Sequence, residues 1–482
     1  MKKFLATLAT AMILSNSTFA AEGMTLTLDE AIELALKNNR LIEQSEEDRE
    51  SARWNLSAVR RNSGLNFSWS SSLNRIGGRY YNSYREQHDR YKNTKHAKQF
   101  PSYFNENTNS VHISMPLYSG GQLENQRESA RYALNSADLT LENSRQEVKC
   151  QAASAYYNVL QQKSLVGVQE QAVEVLQEHL RHVTVQYEIG TIAKSDVLST
   201  SVQLANSQQS LTTAQGNYRT AVAQLNNVLG LPVDTEIAAS SPMNFVKYDV
   251  TEEQCLEYAL NHRPDGIAAL YAVKSAQADT ASAKSGYRPK VNAVINGNMS
   301  GEGVFKADHS DELWMVGLEL NWNIFDNGVT SAQVQRSKSA ERKAESIAHQ
   351  QIETIQLEVH NAYINLKTAE KNIEITTAAV GKAEEEFAIA QVRYTEGVDT
   401  NLNVMDAQEK VVETRNNYYT ALYNYNTSRT ELEKAMGVPI VIDALLYSEA
   451  QQAGKSEKKT LEAATITRND HNTTTEPITD PF

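Results

Sequence analysis

The chain has 482 residues, 46 Lys and Arg against 59 Asp and Glu, and a formal net charge of −13. That balance excludes an ordinary nucleic-acid binder, which needs a basic face for phosphates; 9 Pro and 2 Cys exclude a Pro-rich disordered chain and a disulfide framework. A mean hydropathy of −0.51 excludes a bundle of membrane helices but not membrane-spanning β-strands, which need no long apolar run.

Residues 1–20 read as an export signal. Lys2 and Lys3 precede an apolar run from Phe4 to Leu14, and small or polar residues lead to Thr18-Phe19-Ala20, with cleavage expected after Ala20. The run is too short for a transmembrane anchor.

The chain then repeats itself. At an offset of 207 residues, Gly121 matches Gly328, Ala155-Tyr156 matches Ala362-Tyr363, and Tyr187 and Gly190 match Tyr394 and Gly397. Asn217-Tyr218 matches Asn424-Tyr425, and Gly230 and Pro232 match Gly437 and Pro439. Upstream the offset is 224, pairing Thr27, Glu33 and Ala35 with Thr251, Glu257 and Ala259. Each half therefore reads as one structural unit, at 21–232 and 251–440, joined by a connector at 233–250.

In the first unit a helical pattern covers 27–62. Strands follow at about 65–74 and 111–118, with apolar residues such as Leu65, Phe67 and Trp69 alternating with Asn66 and Ser68. Between them, 75–110 forms a Tyr- and Arg-rich loop. A Pro-free helix is predicted over 122–188, and a shorter one to Leu229. The second unit repeats the order: helical pattern 251–285, strands 291–300 and 313–325, long helix 331–395, shorter helix to Met436. In the second long helix Ile355, Val359, Ala362, Leu366, Ala369 and Ile373 alternate spacings of three and four, a coiled-coil seam. Residues 441–482 are polar and Thr-rich and read as a disordered tail.

Four amphipathic strands cannot close a barrel, and an open sheet in lipid leaves unpaired edges. Strands with Trp69, Trp314 and Trp322 on the apolar face therefore imply a lipid-facing belt completed by other copies. Three chains give 12 strands, with the long helices forming a tube of ~100 Å.

This arrangement resembles the TolC family of outer-membrane efflux and secretion channels over residues 25–440. The resemblance rests on the duplicated helix–hairpin–helix unit and on Leu117-Tyr118-Ser119-Gly120-Gly121. It rests also on Tyr187-Glu188-Ile189-Gly190 with Asp196-Val197-Leu198, and on Tyr394-Thr395-Glu396-Gly397 with Val404-Met405-Asp406-Ala407. It implies a mainly α fold with a membrane β-barrel: a trimeric 12-stranded barrel continued by a periplasmic α-helical coiled-coil tunnel. The implied function is a passive exit duct of a tripartite efflux or type I secretion system in a diderm, Gram-negative-type outer membrane. The implied partners are two further copies, a periplasmic adaptor (membrane fusion) protein, an inner-membrane RND, ABC or MFS transporter, and outer-membrane lipid, with no cofactor.

The resemblance also assigns residues. Gly190 and Gly397 would form the tip turns. Asp406, with Asp399, would form an acidic ring at the pore entrance, weakened because Asn403 stands where a second acid is common. Tyr187, Tyr394, Asp196 and Lys194 are the candidates for closing the tip; Asp399 stands where some members carry the basic partner of Asp196, so that pair cannot form. The plainer reading is that these acids face water or cap helix starts. His179 and His182, three apart with no nearby thiol or carboxylate ligand, read as solvated helix residues rather than a metal site. No nucleophile elbow, HExxH motif or phosphate loop is present, so no enzymatic reaction is expected. The competing class is an exported structural or adhesive coiled-coil surface protein with the strands as a small head.

Overall fold

Each repeat opens on a threonine that folds back over the helix it starts. The computed structural model describes residues 24–77, 103–302 and 312–438. The expected export signal, most of the Tyr- and Arg-rich loop and the expected tail lie outside them. In chain order the elements are β1 (Met24–Leu26), α1 (Leu28–Asn38), α2 (Arg40–Arg61), β2 (Asn66–Gly77) and β3 (Tyr103–Tyr118). Next come α3 (Gln122–Glu188), α4 (Lys194–Leu229), β4 (Ile237–Ala239), α5 (Glu252–His262) and α6 (Pro264–Lys284). The chain continues through β5 (Lys290–Glu302), β6 (Glu312–Asn321), α7 (Val329–Thr395) and α8 (Asn401–Met436).

Both threonines make a capping box. Thr27 accepts from the Glu30 backbone and receives its carboxylate; Thr251 does the same with Gln254. Such a cap satisfies two otherwise orphaned N–H groups. Thr251→Ala is expected to lower the unfolding free energy by about 1 kcal/mol, read as a shift in the guanidinium midpoint.

The opening helical segments are each broken once. Asn39 and Arg263, equivalent under the 224 offset, are extended at ψ 130° and 123°. Pro264 forces this in the second repeat, and the Asn39 carboxamide restarts the helix by accepting from Leu41 N–H at 2.9 Å. Both breaks reach back to the end of their own repeat. Asn39 Nδ2 donates to the Val228 carbonyl at 2.9 Å, and Arg263 Nη1 donates to the equivalent Ala435 carbonyl at 3.3 Å. Arg263 does more. Its fork donates to Asp265 at 2.9 and 2.6 Å and to Glu358, while Gln351 holds Asp265 at 2.9 Å; the guanidinium side chain is only 9% exposed.

The described residues fall into two compact units, one drawn from the stretches 24–48, 138–267 and 350–438, the other from those within 49–137 and 268–349. The first holds two cores that repeat one another. Val148, Ala152 and Val159 of α3 pack with Leu225 and Leu229 of α4. Ile355, Val359 and Leu366 of α7 pack with Leu432 and Met436 of α8. Every member of one set lies 207 residues from its counterpart. β1 and β4 pair in parallel against the first core, where the Tyr156 hydroxyl donates to Leu26 O at 2.9 Å and accepts from Ser241 N–H at 3.0 Å.

The second unit holds an antiparallel sheet in the order β2-β3-β5-β6. All four strands are longer or shorter than their sequence signature, β2 running on to Gly77 and β5 to Glu302, and two differ most. β3 begins at Tyr103, not near 111, because Gly77–Ser70 pairs along one side of it and Glu302–Asn298 along the other for much of that length. Asn105, Glu106, Asn107 and Thr108 place polar groups on both faces, so no apolar alternation announces the strand. β6 stops at Asn321, not 325. Its neighbour β5 starts at Lys290, opposite Asn321, and the Trp322 indole N–H instead donates to Tyr287 O at 3.1 Å. α7 starts two residues early because Asp326 accepts from the Gly328 and Thr330 N–H groups at 3.1 and 2.8 Å.

Candidate functional site

Two places gather the residues singled out by sequence: the sheet and the two helix reversals. Strand register sorts the sheet's faces. Phe67, Ile113, Ile295 and Val316 form one row, and Trp69, Val111, Gly297 and Trp314 the next. The opposite face carries Ser68, His112 and Asn296 in one row, tied by a His112–Asn296 hydrogen bond of 2.5 Å. Trp69, Trp314 and Trp322 are 65%, 77% and 52% exposed. An apolar face this bare, with β2 and β6 each paired on one side only, is a surface made for another apolar medium. No helix among the described residues is long and apolar enough to cross a membrane.

The reversals use left-handed glycines. Gly190 and Gly397 have φ of +79° and +72°, a conformation that any Cβ would strain. The chain behind each bonds back to the helix it leaves: Thr191 N–H to Gln186 O and Val398 N–H to Arg393 O, both at 3.0 Å. That is a Schellman closure.

Side chains then bind one reversal to the other. Tyr394 donates its hydroxyl to Gln186 at 2.8 Å and lies edge-on to the His179 ring at 5.4 Å. His179 Nε2 bonds the Asn401 carboxamide oxygen at 2.7 Å, and Asn401 Nδ2 donates to Thr200 Oγ1 at 3.0 Å. Asn401 and Thr200 are buried. Since Asn401 uses its oxygen toward His179, Nε2 carries the proton. Burial pulls the His179 pKa below its ordinary value, against the Asn401 bond and helped by His182. Burial, then the Asp196 charge, raises the Tyr394 hydroxyl.

The sequence candidates thus separate. Tyr394 joins this clasp, with Asp196 beside it; Tyr187, its repeat counterpart, is exposed. Lys194 is exposed and makes no ion pair among the described residues. Asp399 turns inward, its side chain 11% exposed, accepting from Asn403 and from Thr400 N–H at 2.8 Å, with Arg393 at 3.4 Å. Those bonds, Asn403 first, hold its carboxyl below the usual range. Asp406 remains exposed, one turn from Lys410, which pairs with Glu386 at 2.7 Å. His179 is not the solvated residue its sequence context suggested. Packing between the two reversals half-buries it, and His182 alone stays in solvent beside Glu178. Gln186, Asn401 and Thr200 carried no signal because their repeat counterparts are Arg393, Lys194 and Ala407, so a search for matches passes over them.

The family profile described as outer membrane efflux protein matches residues 31–231 and 255–438. The chain belongs to that family. As a member it is an outer-membrane protein, and membership replaces the reading as an adhesive surface coiled coil. Among relatives, the outer membrane efflux protein BepC of Brucella suis is 22% identical over 313 residues, and the outer membrane protein TolC of Escherichia coli 22% over 330. These alignments cover 63% and 65% of this chain and 66% of each relative, slightly under two thirds of their length. The fold is that of the Campylobacter jejuni CmeC outer membrane channel, with a TM-score of 0.73, 16% identity and 89% of both chains covered.

Proposed function

We propose that three copies of this efflux-family protein assemble into a passive duct, the exit of a tripartite efflux or type I secretion system. The sheet carries the proposal: one apolar face, one polar face and two free edges in four strands. Three such sheets joined β6 to β2 make 12 strands, an even number within the range of outer-membrane barrels. Trp314 and Trp322 are eight residues apart, ~26 Å of extended chain, close to the apolar band of such barrels. A second heptad frame on α7 supports helix contacts between copies. Leu357, Ile364, Ile375, Ile389 and Val392 occupy it and are exposed.

The reversals form the entrance in this reading, held shut by the clasp until an adaptor and an inner-membrane transporter dock. Asp406 is the side chain that threefold repetition places in a ring, which favours cations in the pore. Asp399 contributes little, since its carboxylate is spent on its own turn. Single-channel recording in planar bilayers tests both levels. Wild type is expected to give cation-selective openings blocked by divalent ions, and Asp406→Ala to lose most of both properties. Selectivity unchanged in Asp406→Ala removes the ring; no conductance under any condition removes the duct.

A further inference from the structure

We infer that the membrane-proximal helix ends form a basic collar that binds the headgroups of anionic phospholipids. The inference rests on the outer-membrane reading above. Tyr118, Tyr287 and Trp322 stand exposed where β3 ends, where β5 is about to begin and where β6 has just ended. Aromatic side chains at one level mark the boundary between hydrocarbon and headgroups. Immediately beyond it the chain places Arg60 and Arg61 in the last turn of α2, Lys284 at the end of α6, and Arg288 just before β5. Arg127 and Arg336 follow, within about two turns of the starts of α3 and α7.

All six are exposed, and none makes an ion pair among the described residues. Of the acids near the same level, Glu128 pairs with Arg131 at 3.6 Å, Glu124 accepts from Ser119 at 2.9 Å and Asp326 caps α7, while Asp279 is exposed, so the six cations face three unpaired carboxylates. Arg288 gives one N–H to Gly120 O at 3.1 Å and keeps its remaining donors. In a chain of net charge −13, this is a local excess of unspent cations.

Helix dipoles explain part of the pattern. Arg60, Arg61 and Lys284 sit at helix C-termini, where cations are favoured. Arg127 and Arg336 sit toward the N-terminal ends of their helices, where the dipole gives them nothing. What all six share is nearness in the chain to the strand ends. A phospholipid phosphate at the aromatic boundary is the anion within reach, and each basic side chain near such a surface contributes on the order of 1 kcal/mol.

The test uses the full-length protein, delipidated in detergent and offered equal amounts of phosphatidylglycerol and phosphatidylcholine with the same acyl chains. The lipid retained is counted by native mass spectrometry. Wild type is expected to retain phosphatidylglycerol over phosphatidylcholine by roughly fivefold at low salt. Both 0.5 M NaCl and the triple variant Arg60→Gln/Arg61→Gln/Lys284→Gln should bring the ratio close to one. Equal retention of the two lipids by wild type overturns the collar while leaving the membrane reading intact. A preference that survives salt and the substitutions also overturns it. Retention of neither lipid defeats the membrane reading itself. The salt arm needs no variant, so it decides the question even if the triple variant fails to fold.

Discussion

Arg263→Ala is expected to lower the unfolding free energy by about 2–3 kcal/mol, because it leaves the partly buried Asp265 without its cation while water re-solvates the half-exposed Glu358. The same change frees the Ala435 carbonyl at the end of α8 and removes the link from the α5–α6 break to α7. Arg263→Lys should recover only part of the loss, since an ammonium cannot reproduce the two-pronged contact with Asp265. Asn39→Ala, at the counterpart position, loses two neutral hydrogen bonds, one to the Val228 carbonyl and one from Leu41 N–H, together worth about 2 kcal/mol. The contrast between the halves is the informative quantity. Guanidinium unfolding of the detergent-solubilised protein measures it, and equal midpoint shifts for Asn39→Ala and Arg263→Ala would mean that the charged network adds nothing beyond the shared carbonyl contact.

The second large effect is expected at Asn401. Asn401→Ala removes the partner of His179 and the donor to Thr200, whose hydroxyl keeps its own bond to Asp196 O at 2.8 Å. Leaving a buried polar group unsatisfied costs about 1–3 kcal/mol, so local opening of the two reversals should rise roughly tenfold or more. Hydrogen–deuterium exchange at the amides flanking Gly190 and Gly397 reads this directly, and in bilayers the open fraction should rise with it. Tyr187→Phe is the matched control, because Tyr187 is exposed and outside the clasp. Exchange unchanged in Asn401→Ala would show that the clasp does not hold the reversals together.

Acid should weaken the same clasp. His179 has a folded-state pKa below its ordinary 6.5 because its ring is half-buried. Above that ordinary value the ring is neutral whether the reversals are closed or open, and no penalty exists. As pH falls through about 6.5, the opened state takes up a proton that the closed state resists, so closure is progressively lost down to the folded-state pKa. The exposed His182, on the same helix, adds repulsion, and Glu178, 3.0 Å from the His182 ring, is the acid that offsets it. His179→Gln should flatten the pH dependence of exchange between pH 7 and 5. An unchanged slope would assign it to another group.

Much of the architecture was legible because the chain states it twice. Offsets of 207 and 224 fixed which residues answer one another, and Val148 with Ile355, or Leu225 with Leu432, do occupy matching places in matching cores. Long helices announce themselves through seams and glycine stops. Strand ends were less visible, because Tyr103–Ser110 is held by pairing on both sides rather than by an apolar face. The clasp was least visible. His179, Gln186, Asn401 and Thr200 lie where the repeats differ, on three helices, α3, α4 and α8, and only their packing makes them one network. Arg263 escaped notice for a related reason. Its role depends on Glu358 and Gln351, some ninety residues away, and on a carbonyl that every residue possesses.

The two free edges of the sheet have a consequence for biogenesis. β2 and β6 together expose, on their unpaired sides, on the order of twenty backbone donors and acceptors. In hydrocarbon each unsatisfied group costs several kcal/mol, a total far beyond the stability of any single domain. A lone chain therefore cannot enter the bilayer first and find its neighbours there. In the three-copy assembly proposed above, insertion and closure have to be one cooperative event, with the copies gathered by their water-exposed helices before any strand meets lipid.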